Sequence, residues 1–192
     1  MSGSGFHVHG PHDHEVEHAA QHGHKDRFAG TIAVMTAILA TIGALFSYMG
    51  GATQANAGLF KNNAAIKKTE ASNQWNYYQA KSSKQNLAEL AMALVPEDRK
   101  ATYKDEVERY KKEKAEIKAG AEKLEAEAKA WDDRSEQEMH QHHRWAQATT
   151  ALQISIALAA IALLTRRKWL EVGMFGVAGV GVVLGIAAAL HF

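Results

Sequence analysis

Three stretches of the chain are apolar without a charge inside them. Residues 28–49 run for 22 positions, 145–165 for 21 and 172–192 for another 21, the last two ending in ALLT and AALHF. A helix needs about 20 mostly apolar residues to cross the hydrocarbon layer of a bilayer, so each stretch predicts a transmembrane helix. A water-soluble core would have to bury all three completely against one another. Between the first and second stretches lie residues 50–144, a polar segment with 17 basic and 16 acidic side chains.

That polar segment carries heptad patterns. Tyr103, Val107, Tyr110, Lys114, Ile117, Ala121, Leu124, Ala128, Trp131, Ser135, Glu138, His142 and Trp145 follow a 3-4 rhythm, with charges at most other positions. Upstream, Leu59, Ile66, Asn73, Ala80, Leu87 and Leu94 recur every seven residues, and Leu90 adds a second seam position. Both read as seams of coiled-coil helices. The chain has two prolines, Pro11 and Pro96, so a helix break falls between the two arms at 95–101. Thr102 with Asp105 predicts a capping-box start for the second arm. Arms 53–94 and 102–144 would each approach ~60 Å at 1.5 Å per residue. The expected fold is therefore an all-α membrane protein, three transmembrane helices with a long antiparallel coiled-coil hairpin between the first and second.

The hairpin's aromatic residues test that arrangement. Trp75 would stand ~39 Å beyond the first span on a straight helix, outside any interfacial belt. Folding the chain about Glu97 and Asp98 sets Trp75 opposite Gly120, Trp131 opposite Ala64 and Ala65, and Trp145 opposite Gly50. Large residues then face small ones, as close helix packing requires. Trp75 is expected to be a packing lock at mid-hairpin.

The segment ASNQWNYYQAKSSKQNLAELA and the later HHRWAQATTALQISIALAAIALLTRRKWLEVG resemble the bacterial membrane-protein family called domain of unknown function 4337. The resemblance covers most of the chain from the first span onward. It implies the same three-span, helical-hairpin plan and carries no activity with it.

Charge then sets an orientation. Arg166, Arg167 and Lys168 occupy the short turn 166–171, and basic residues in short loops stay cytoplasmic. The N-terminal leader 1–27 is then cytoplasmic, with the 50–144 hairpin and the C-terminus on the other side, periplasmic in a bacterial inner membrane. Ala55-Asn56-Ala57 imitates a cleavage site, but 28–49 exceeds the roughly 7–15 residues of a signal core, so an uncleaved anchor is expected. Net charge is +1, which gives no electrostatic argument for a nucleic-acid partner. With no cysteine, disulfides and thiolate chemistry are excluded.

Candidate chemistry concentrates on histidine. Seven of the eleven histidines lie in the leader, where His14, His18 and His22 would share one helical face, a candidate site for zinc, nickel or copper. The bland alternative is a polar tail. His140, His142, His143 and His191 are expected near the outer membrane face, as metal or proton ligands or as an ordinary interface. Small residues form stripes that permit close helix packing, Ala29, Ala33, Ala37 and Thr41 in the first span and Gly181, Gly185 and Ala189 in the third. No required cofactor and no enzymatic motif stand out. The expected role is a non-enzymatic scaffold that associates with itself in the bilayer and presents its hairpin to a periplasmic or membrane protein. A pore lined by Gln153, Ser155 and Thr149, and a metal- or pH-responsive sensor, are the alternatives.

Overall fold

The computed structural model describes residues 27–191, so the leader candidates His14, His18 and His22 lie outside the described residues. Three helices make up the described chain: α1 (Arg27–Leu94), α2 (Glu97–Thr165) and α3 (Lys168–Ala189). Each contains a stretch long and apolar enough to cross a membrane. The expected division into separate spans and a hairpin of its own is corrected. α1 has 68 residues and α2 has 69, each running unbroken between apolar and polar sequence. Gly50 and Gly51 cost the helix about 1 kcal/mol each, too little to stop it, and no proline intervenes before Pro96.

The turns are shorter than the sequence suggests. Only Val95 and Pro96 separate α1 from α2. Pro96 lacks a donor and disfavours the helical region at Val95, while Glu97 and Asp98 fill the first turn of α2, where carboxylates complement the helix dipole. The Arg99 N–H reaches the Pro96 carbonyl at 3.1 Å. α2 thus starts at Glu97, five residues before the expected cap at Thr102. Likewise only Arg166 and Arg167 lie between α2 and α3. Arg166 turns the corner with φ 53°, and its N–H bonds the Ala162 carbonyl at 2.8 Å. A non-glycine residue in this left-handed region costs roughly 1–2 kcal/mol.

Contacts divide the chain into two compact units, Met1–Gly50 with His143–Phe192, and Gly51–His142. In the first, Ile32 of α1, Ala159 and Ala162 of α2, and Leu170 and Met174 of α3 form one buried cluster. Leu39, Leu152 and Ala178 form another, with Phe46 and Val182 packed against it. The buried Ser155 hydroxyl donates to the Met174 carbonyl at 2.8 Å. Only 17% of the apolar window of α1 is buried, and 28% of each of the others. Outward apolar faces of that extent suit a hydrocarbon solvent rather than water.

Gly51–His142 pairs the polar halves of α1 and α2 side by side. On α2 the twelve expected seam positions from Tyr103 to His142 are all buried or half-buried. On α1 the expected seam is overturned. Leu59, Ile66, Asn73, Ala80, Leu87, Leu90 and Leu94 are all exposed, Leu59 at 60% and Leu94 at 76%. The face turned to α2 instead carries Ala57, Ala64, Ala71 and Ala88, all buried. Alanine lets the two backbones approach and leaves room for the large α2 residues. At Ala57 the approach is close enough for the Ser135 hydroxyl to donate to its carbonyl at 2.8 Å.

Candidate functional site

The stretch around Trp75 is where the paired helices gather most aromatic and charged groups. Trp75 and Tyr78 are one helical turn apart, and their rings meet edge to face with centroids 5.6 Å apart. The Trp75 indole N–H donates to Glu125 Oε1 at 2.8 Å. Lys114 of α2 stands 5.0 Å from the Tyr78 ring centroid and donates to Gln85 Oε1 at 3.2 Å. Lys81, only 15% exposed at its side chain, sits 2.5 Å from Glu113 Oε2. Its ammonium also lies 5.2 Å from the Tyr77 centroid and 5.6 Å from that of Tyr110. Cation–π contacts of this kind contribute on the order of 0.5–1 kcal/mol each at exposed sites.

The charges here are matched across the pair. The hydrogen bond from Lys81 holds the Glu113 carboxyl below its ordinary range, with the nearby Lys81, Arg109 and Lys84 charges adding to it. The same bond raises Lys81, assisted by Tyr77. Lys61 is raised by its hydrogen bond to Asp132 on α2, and Lys67 by Glu70 and then by Glu127. An open groove of about 740 Å³ runs beside Trp75, with Lys61, Lys68, Glu125, Lys129 and Asp132 at its rim. Since Asp132 already holds Lys61 and Glu125 holds the indole, these groups serve to fasten α1 to α2.

The structure pairs Trp75 with Glu125 and not with the expected Gly120. A Cβ placed at Gly120 would meet nothing within 4 Å, and Trp75 engages Glu125 instead. Trp131 stacks on Phe60 at 5.5 Å, one turn from the expected Ala64, which is itself buried. Trp145 meets Phe46 at 5.3 Å. Phe60 and Phe46 each lie one helical turn before Ala64 and Gly50, the positions that folding about Glu97 and Asp98 sets opposite Trp131 and Trp145.

In the apolar unit, Gly181 and Gly185 are buried while Ala189 is exposed. Leu152 and the Phe46 ring stand where side chains at Gly181 and Gly185 would project. Ala188, fully buried, takes the place expected for Ala189. Ala33, Ala37 and Thr41 face outward. Gln153, Ser155 and Thr149 do not share one face: Ser155 is buried, Gln153 is exposed, and the Thr149 hydroxyl returns to the Trp145 carbonyl at 2.8 Å. Among the described residues no group of three or more His, Asp or Glu is placed to hold a metal ion. His140, His142, His143 and His191 are accordingly not gathered into a metal centre. Arg166, Arg167 and Lys168 are exposed at the α2–α3 turn.

No curated protein matches the chain, and no solved structure matches it. Residues 28–191 match the family described as Domain of unknown function (DUF4337), and the chain belongs to that family.

Proposed function

We propose that the protein is a non-enzymatic scaffold of the bacterial inner membrane that assembles with copies of itself. In this reading its leader is cytoplasmic, and the 51–142 pair is periplasmic, with the Pro96 turn offered to a partner protein. The observation that carries self-assembly is Gln153. It lies near the middle of the apolar stretch 145–165 and is exposed, so its amide would face hydrocarbon in an isolated chain. Interhelical polar contacts in membranes contribute about 0.6–2 kcal/mol, and a second copy supplies a matching amide. The bonded pairs around Trp75 support a passive, stiffening role for the polar pair rather than a reacting site.

Native mass spectrometry of the detergent-solubilised protein tests this. Two or more copies per particle are expected, and Gln153→Leu should reduce the multi-copy fraction. A wild-type protein that is monomeric under all bilayer-mimetic conditions overturns the reading.

A further inference from the structure

The α1 heptad that fails to meet α2 is itself unexplained by the fold. Leu59, Ile66, Asn73, Ala80, Leu87 and Leu94 mark position a of a seven-residue repeat, and every one is exposed. The same holds at positions d and g: all residues there from Gly58 to Leu94 are exposed and uncharged. The charges of this segment (Lys61, Lys67, Lys68, Glu70, Lys81, Lys84 and Glu89) fall only at b, c and e. By contrast the paired part of α2 carries charge along most of its outward surface. A water-facing helix gains nothing from keeping one face charge-free over five heptads. Position a is apolar except at Asn73, while d carries Asn62, Thr69, Asn76, Ser83 and Leu90; an uncharged face with apolar residues at a, spaced by heptads, is a surface on which a second helix can pack.

We propose that this face of α1, residues 58–94, is the interface between copies, joining two chains in parallel and in register. The proposal rests on the self-assembling reading above and names its surface. Three observations select a second copy as the occupant. Copies inserted in one bilayer leave it at the same residue and on the same side, so each α1 residue meets its own equivalent. Asn73 then faces Asn73 at an a position, the arrangement that fixes two strands and their register at some cost in stability. Finally, in a parallel pair each e residue lies beside the g residue five positions earlier on the other chain. Glu70 then meets Ala65 and Lys84 meets Gln79, with no like charges opposed.

The absence of native cysteine makes the test direct. Asn73→Cys and Leu87→Cys are made singly in the full chain and oxidised in membranes. Glu116→Cys and Lys123→Cys, exposed on α2, serve as controls. Covalent dimers through positions 73 and 87, at least several-fold above the controls, are expected. Leu87→Lys should lose the multi-copy species by native mass spectrometry with helix content unchanged, because residue 87 is 64% exposed in the single chain. Multi-copy wild type without cross-links at 73 or 87, and with Leu87→Lys still assembled, overturns the interface and leaves the scaffold reading standing. A monomeric wild type overturns both. Adducts at 73 or 87 whose mass is not a multiple of this chain assign the face to another protein and overturn the proposal.

Discussion

Glycines that look alike in sequence have opposite consequences here. Gly120 sits inside α2 with open space where a side chain would project, whereas Gly185 faces the Phe46 ring. Gly120→Ala should stabilise the chain by about 0.5–1 kcal/mol, since alanine is the better helix former and nothing must move. Gly185→Ala should destabilise it by roughly 1–3 kcal/mol through overpacking. Thermal unfolding of both variants, followed by helix content, checks the signs. A loss of stability in Gly120→Ala would reinstate that glycine as the socket for Trp75. From sequence alone the two could not be told apart, because small residues at helical spacing mark a close approach without saying which neighbour approaches. Gly181 and Gly185 were readable as a packing edge, and Ala189 was not separable from Ala188 without the rotation of α3.

At the scale of the elements, the second arm was legible and the first was not. The α2 seam from Tyr103 to His142 combines large apolar residues with a dense charged remainder, and its period alone identifies the inward face. In α1 two heptads compete. One carries leucines, and the other carries Ala57, Ala64 and Ala71, with Phe60 and Trp75 beside them. Size favours the leucines as a core, yet the large residues of α2 need small partners, so the alanines face inward. The paired elements are then fastened by surface ion pairs, which predicts a pH dependence. Glu113 is held below its ordinary value of 4.5, so its contribution is present above that pH and is lost as pH falls through the folded value. Lys81 is held above its ordinary 10.5, so its share is present below that pH and disappears as pH rises through the folded value. The melting temperature should thus fall as pH drops below the ordinary carboxylate range, and less so in Glu113→Gln, with a small amplitude because the groups are partly exposed. An acid profile identical in the variant would remove the Lys81–Glu113 pair from the fastening.

For the whole molecule, three apolar stretches and two two-residue turns give three helices long and apolar enough to cross a bilayer. Arg166 keeps a left-handed backbone that glycine would adopt without strain, beside Arg167 and Lys168 in the basic turn. The three apolar windows and the breaks near Pro96 and at the basic turn are readable from hydropathy, proline and charge. The unbroken passage of α1 and α2 between apolar and polar sequence is not, because a change of composition reads as an element boundary although the backbone hydrogen bonds of a helix continue through it. The proposed scaffold reading requires that residues 51–142 lie on one side of the membrane and the basic turn on the other. Single-cysteine labelling of Glu97→Cys and Lys168→Cys with a membrane-impermeant maleimide on intact cells with a permeable outer layer tests it most directly. Labelling at position 97 before membrane rupture, and at position 168 only after it, is predicted; labelling of both positions from the same side would contradict it.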